Sequence, residues 1–132
     1  MKPSPSVLIV EDEAAMVLAL QLRLKAGGFS VCGIASSKDE AVSLATEHLP
    51  DFVIMDIRLS GEGDGIDAAR EIADGLGTNV IFTTGYAEED VRKRAMEVEP
   101  LAFLVKPFRI AELITIMNRH RESPEKLPNS KK

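Results

Sequence analysis

Four apolar runs of this chain stop at residues able to do chemistry. Val7-Leu8-Ile9-Val10 ends in Glu11-Asp12-Glu13, Phe52-Val53-Ile54-Met55 ends in Asp56, Val80-Ile81-Phe82 ends in Thr83-Thr84-Gly85, and Leu101 to Val105 ends in Lys106-Pro107. Side by side over an apolar core, such groups are costly without a partner. Glu11, Asp12 and Asp56 would repel one another, and a divalent cation removes that repulsion. Hard oxygen ligands in a small cluster suit Mg²⁺, which keeps several waters and takes one or two carboxylates plus phosphate oxygens. With the cation in place, one carboxylate can attack phosphorus and give an acyl phosphate. The Lys106 ammonium and the Thr84 hydroxyl would then surround the charge on the transferred group.

Runs this short, apolar throughout and rich in β-branched residues, read as buried strands. The stretches between them read mostly as helices. Ala14 to Ala26 is helical, with Val17, Gln21 and Leu24 on one line, Leu18 and Leu22 beside it, and Gly27-Gly28 as its stop. Phe29 to Ala35 is a further strand. Ser37 and Glu40 form a capping box for a helix over Lys38 to Glu47, and Pro50 ends that connection. Leu59 to Gly65 is a loop, and Ile66 to Ala73 a helix with Ile66, Ala69 and Ala73 on one face. Glu88 to Met96 is a charged helix whose Arg92-Lys93-Arg94 run has the look of a solvated face. Ile110 to Arg121 is the last helix, with Ile110, Leu113, Ile114 and Met117 at helical spacing.

Residues 1–121 thus form one domain, and 122–132, with little apolar content, read as a flexible tail. Strand and helix alternate about five times, the pattern of an α/β parallel sheet with helices on both faces. In such sheets ligands sit beyond the carboxyl ends of the strands, which is where the acids, Thr84 and Lys106 stand.

Composition narrows the function. The 132 residues can bury a core unaided. A formal net charge of -5 disfavours nucleic-acid phosphate, so no direct DNA binding is expected. Cys32 is the sole cysteine, and His48 and His120 lack ligand spacing, which excludes an internal disulfide and a thiolate zinc site. Cys32 reads as core filler. No apolar run approaches the roughly 18 residues of a membrane span, and Met1 to Ser6 has no signal-peptide character, so a cytoplasmic protein is expected. Singly, an acid after a strand is usually a turn residue or cap and Lys-Pro usually a loop. It is the conjunction of four strand ends that favours chemistry.

That conjunction resembles the receiver domains of two-component response regulators. The matching pieces are Leu8-Ile9-Val10-Glu11-Asp12-Glu13, Val53-Ile54-Met55-Asp56, Thr84-Gly85 and Lys106-Pro107-Phe108, and the resemblance runs over residues 6–121. It implies a flavodoxin-like doubly wound fold with strand order 2-1-3-4-5. It also implies roles. Asp56 is the phosphoacceptor, Asp12 binds Mg²⁺ directly, Glu11 acts mostly through water, and Arg58 offers its backbone carbonyl. Thr84 and Lys106 bind phosphoryl oxygens, Lys106-Pro107 is cis, and Phe103 is the aromatic switch residue. Thr84 is preferred to Thr83 as the switch hydroxyl because a small residue, Gly85, follows it. Thr83 then ends the strand with its side chain on the other face.

The stretch Phe82-Thr83-Thr84-Gly85-Tyr86 looks like the variant called FATGUY, known from stand-alone regulators of alphaproteobacteria. Those regulators tend to work with histidine kinases of the HWE or related class. The expected partners are such a kinase or a phosphotransfer protein, together with a downstream protein reached through a phosphorylation-dependent face. A phosphorylation-dependent homodimer is left open. Gly85 loosens the switch loop, and Arg58 and Tyr86 are expected to shield the acyl phosphate from water. The chain is expected to catalyse only its own phosphorylation and dephosphorylation. Two alternatives are a phosphate sink in a phosphorelay and a structural receiver without phosphotransfer. A haloacid-dehalogenase-like enzyme would need an Asp where Arg58 stands, and no G-x-x-x-x-G-K-[ST] supports a P-loop protein.

Overall fold

The structure, a computed structural model, describes residues 4–85 and 88–121. Within them, strands and helices alternate as β1 (Ser6–Val10), α1 (Ala14–Ala26), β2 (Ser30–Ala35), α2 (Lys38–His48), β3 (Phe52–Asp56), α3 (Gly65–Leu76), β4 (Asn79–Thr84), α4 (Glu89–Met96), β5 (Ala102–Val105) and α5 (Ile110–Arg121). The strands form one five-stranded parallel sheet in the order β2-β1-β3-β4-β5, the flavodoxin-like arrangement that the resemblance implies. The tail, 122–132, lies outside the described residues.

Alternation along each central strand sends successive side chains to opposite faces. Leu8, Val10, Val53, Met55, Val80 and Phe82 pack beneath α2, α3 and α4, against Ala41, Ala45, Ile66, Ala69, Ile72 and Ala95. Val7, Ile9, Phe52, Ile54 and Ile81 pack beneath α1 and α5, against Leu20, Leu24, Leu113 and Met117. Both faces of β1, β3 and β4 are therefore dry, which is why these strands read as unbroken apolar runs. Burial of one such Leu, Ile or Phe side chain contributes about 1.5–3 kcal/mol.

The register aligns the chemistry. Val10 pairs with Met55, Asp56 with Thr83, and Thr84 with Val105. Glu11, Asp56, Thr84 and Lys106 thus reach the same edge of the sheet from four neighbouring chain segments.

Several local readings change. The buried stripe of α1 is Leu20 and Leu24, while Leu18 and Leu22 are 58% and 62% exposed, so the flank that looked apolar in sequence faces solvent. β4 runs one residue further than expected and ends at Thr84, with Thr83 inside it. In the capping box of α2, the Glu40 amide does donate to Ser37 Oγ (3.2 Å), but the Glu40 carboxylate accepts from the Ser36 amide (2.9 Å), one residue further back.

Helix α3 differs at both ends, running three residues past the expected Ala73 to Leu76 and starting one residue early. Leu59 to Gly65 was expected to be loop throughout, yet the helix begins at Gly65 under a complete capping box. Asp64 Oδ1 accepts from the amides of Ile66 and Asp67, each at 3.0 Å, and Asp67 Oδ2 accepts from the Asp64 amide at 3.0 Å. Two helix-start N–H groups, which would otherwise lack partners, are satisfied in this way. Gly65 itself lies against β3. A Cβ placed there would overlap the Asp56 carbonyl oxygen and come within 2.9 Å of the Asp56 carbonyl carbon and the Ile57 Cα. All these atoms are backbone and cannot swing aside. We therefore expect Gly65→Ala to lower the unfolding free energy by about 3 kcal/mol, the upper end for overpacking. Urea unfolding measures it, and a loss below about 1 kcal/mol would mean that α3 can slide away from β3.

Candidate functional site

Glu11 and Asp56 are buried at the carboxyl edge of the sheet, only 4% and 5% exposed. Asp12 beside them is exposed. One oxygen from each of the three carboxylates lies within 4.8 Å of the others, a donor set able to hold a hard cation. Lys106 closes the cluster from the end of β5. Its Nζ donates to Glu11 Oε1 at 3.0 Å and to Asp56 Oδ2 at 3.2 Å. The second oxygen of each buried acid meets a backbone amide: Glu13 N–H donates to Glu11 Oε2 (3.1 Å) and Arg58 N–H to Asp56 Oδ1 (3.3 Å). These four bonds orient both carboxylates. The Lys106–Pro107 peptide is cis, as the resemblance implies.

The electrostatics follow from burial. Burial pushes the Glu11 carboxyl above its ordinary value, and the Asp56 charge adds to this, against the hydrogen bonds from Lys106 and the Glu13 amide. For Lys106, burial alone would lower the pKa. The bond to Glu11 and the negative charges of Asp56 and Glu11 outweigh it and hold the ammonium above its ordinary value. A raised pKa means that the folded state binds the proton more tightly, so the stabilisation it brings is lost as pH rises through the folded value. For Glu11 that loss begins above 4.5, so the ionised carboxylate burdens the fold across the neutral range. For Lys106 the favourable share persists until pH exceeds 10.5. At neutral pH the site therefore combines an acid group under strain with a secure counter-charge, a setting that a bound cation would relieve.

Around this cluster stand the other residues singled out in the sequence. Thr84 is fully buried, and its carbonyl accepts from the Lys106 amide at 2.7 Å, joining the ends of β4 and β5. It also lines a cleft of about 390 Å³ with Ile57, Arg58, Leu59, Asp64, Glu88 and Val91. Arg58 is exposed at the rim. A Cβ at Gly85 would meet nothing within 4 Å, so crowding does not demand a glycine there. Tyr86 lies outside the described residues. Phe103 is half-buried at the margin of the core, and the Arg92 guanidinium sits 4.9 Å from its ring centroid, a cation–π distance.

Sequence reasoning missed part of this. The Arg92-Lys93-Arg94 run was expected to be solvated. Arg92 and Lys93 are exposed as expected, but Arg92 also lies over Phe103, and the half-buried Arg94 reaches the start of α3, where Nη1 lies 3.1 Å from Asp64 Oδ2 and Nη2 lies 3.5 Å from Asp67 Oδ1. The Asp-x-x-Asp spacing before an apolar run was a usable signal for the α3 cap. Nothing local announced that an arginine some thirty residues later would grip it.

Residues 7–118 match the family model described as the response regulator receiver domain. The chain is 43% identical over 108 residues to the transcriptional regulatory protein PdtaR of Mycobacterium tuberculosis, spanning 82% of this chain and 52% of that protein. It is 32% identical to the chemotaxis protein CheY of Bacillus subtilis, spanning 86% of this chain and 94% of that one. This chain spans about half the length of the first of these relatives. Among solved structures, the signal receiver domain of a modulated diguanylate cyclase from Desulfovibrio desulfuricans superposes with a TM-score of 0.84 at 32% identity, over 92% of this chain and 98% of that one. The receiver domain of a sensor histidine kinase from Pseudomonas aeruginosa gives a TM-score of 0.77 at 29% identity, over 88% and 96%, and is described with a magnesium ion coordinated in its active-site cleft.

The acid cluster generates a direct expectation. Mg²⁺ at about 100 times its Kd should raise the thermal midpoint at neutral pH by on the order of 10 °C. The rise should shrink as pH falls into the acidic range, where Glu11, its carboxyl held above the ordinary value by burial, takes up its proton. Asp12→Ala should lose most of it. A midpoint indifferent to Mg²⁺ in the wild type would show that the cluster holds no cation.

Proposed function

Because the chain belongs to the response-regulator receiver family, we propose that it accepts a phosphoryl group on Asp56, from a histidine kinase or a phosphotransfer protein, and signals through a phosphorylation-dependent protein-interaction face. The observation that supports this best is the environment of Asp56. It is a buried carboxylate at a strand end, with one oxygen on Lys106, the other on the Arg58 amide, and two further acids within reach.

In this reading an oxygen of Asp56 forms the new P–O bond as the P–N bond of the donor phosphohistidine breaks. The donor set of Glu11, Asp12 and Asp56, with the Arg58 backbone carbonyl, suits Mg²⁺, which when bound supplies charge neutralisation for the phosphoryl oxygens. Lys106 is already charged and already aimed at Asp56, so it meets the incoming group without reorganisation. The Thr84 hydroxyl takes a phosphoryl oxygen from the β4 end.

Phosphorylation adds a charge of about -1.5 to -2. The pull on Thr84 carries the loop after β4 with it, and Phe103 responds by leaving its place beneath Arg92. The face formed by α4, β5 and α5 then changes its population of shapes. The Phe82-Thr83-Thr84-Gly85-Tyr86 stretch favours the FATGUY variant and hence a kinase of the HWE class as donor. In this reading the chain catalyses only its own phosphorylation and dephosphorylation, and Arg58, standing where a haloacid-dehalogenase-like enzyme carries its second Asp, disfavours that rival.

Intact mass after incubation with acetyl phosphate and Mg²⁺ tests the acceptor. One phosphoryl group should appear in wild type, be absent from Asp56→Asn, and be abolished by a chelator. No gain in wild type, combined with no Mg²⁺ binding, overturns the reading and leaves a structural receiver. Arg58 at the rim of the cleft should slow water attack on the acyl phosphate, so Arg58→Ala should shorten the phosphoryl lifetime. An unchanged lifetime removes Arg58 from that role.

A further inference from the structure

We infer that Arg94 is a positioning residue that ties α4 to the backbone of the phosphoacceptor through the cap of α3. One guanidinium spans both carboxylates of the capping box, with Nη1 at 3.1 Å from Asp64 Oδ2 and Nη2 at 3.5 Å from Asp67 Oδ1. Through their other oxygens, Asp64 accepts from the Ile66 and Asp67 amides of α3, and Asp67 accepts from the amide of Asp64 just before it. Arg94 therefore reads the geometry of the cap and not merely its charge, because the planar fork fixes both acids at once.

The cap in turn is seated on Asp56. Gly65, the first residue of α3, donates its amide to the Ile57 carbonyl at 2.7 Å and leaves no room for a Cβ beside the Asp56 carbonyl. The chain of contact is short: Arg94 of α4, Asp64 and Asp67, Gly65, then the Asp56–Ile57 backbone. It runs beside the same cleft that Thr84 and Arg58 line, yet uses neither of them. A second ion pair joins α3 to the residue just past α4, Arg70 to Glu97 at 2.9 Å, but it is exposed and touches no part of the cap. It serves as the internal control for a tether that merely holds two helices together.

This coupling rests on the reading of Asp56 as phosphoacceptor, and it adds a route to α4 that bypasses Thr84 and Phe103. Linkage makes it reciprocal. A protein that binds and shifts α4 repositions α3 against Asp56, and a phosphoryl group that shifts the Asp56 loop loosens or tightens the hold on α4.

The first test uses the unliganded protein and measures amide hydrogen exchange. Arg94→Ala should raise exchange at Gly65 by about threefold or more, the scale of a part-exposed ion pair. Arg94→Lys should fall between it and wild type. Arg70→Ala should leave Gly65 unchanged, and the amides of β1 should stay unchanged in every variant. An unaffected Gly65 in Arg94→Ala, or an equal effect in Arg70→Ala, overturns the coupling. The second test adds acetyl phosphate and Mg²⁺ and follows the amide shifts of residues 89–96, with intact mass measured on the same samples. Where mass shows a phosphoryl gain, those shifts should appear in wild type and Arg70→Ala and be at least halved in Arg94→Ala. Equal shifts despite equal mass gain overturn the coupling and leave the phosphoacceptor standing. Absence of any mass gain or Mg²⁺ binding in wild type counts against the phosphoacceptor, and Gly65 exchange then decides the coupling alone.

Discussion

A single ammonium group lets two carboxylates stay buried at the edge of an apolar sheet. Lys106 touches both Glu11 and Asp56, and without it the two acids would face each other with only backbone amides in support. Breaking such a pair by removing one partner leaves an uncompensated buried charge, which is far more damaging than never having built the pair. The parallel topology is the means of building it. Strands with dry faces on both sides can end at a common edge, and the residues at or just past their ends are forced into company.

Helix α4 is held between two unlike anchors. On one side Arg92 lies over the Phe103 ring, and on the other Arg94 grips the acids of the α3 cap. The helix itself buries only Ala95. Its place is thus set by polar and cation–π contacts of modest strength rather than by a deep apolar seat. Elements held in that way belong to the low-stability end of a fold, from which moving parts are drawn.

Much of this was legible before any coordinates. The apolar runs located the strands because both sheet faces are covered, and the polar residues at their ends named Glu11, Asp12, Asp56, Thr84 and Lys106 together. What escaped had physical causes. The Leu18 and Leu22 flank of α1 carries leucines that packing does not use, so the apolar stripe looked wider in sequence than the Val17 and Leu24 line that packs on the core. The α3 start lay inside a glycine- and acid-rich stretch, where turn chemistry masked a cap built from two aspartates. The partners of Arg92 and Arg94 belong to other elements, and a charge run on a helix carries no record of what tertiary structure places opposite it.

The order in which these groups occur along the chain has a consequence for synthesis. The acids stand at positions 11, 12 and 56, and their counter-charge at 106, with β5 an edge strand that joins only β4. A nascent chain emerging from its N-terminus displays every carboxylate of the cluster before the ammonium exists. The partly synthesised sheet must therefore wait, with its charged edge wet and open, until the last strand docks. Contacts of such sequence separation belong to slow-folding topologies, and here the residue that completes the site directly follows the strand that completes the sheet.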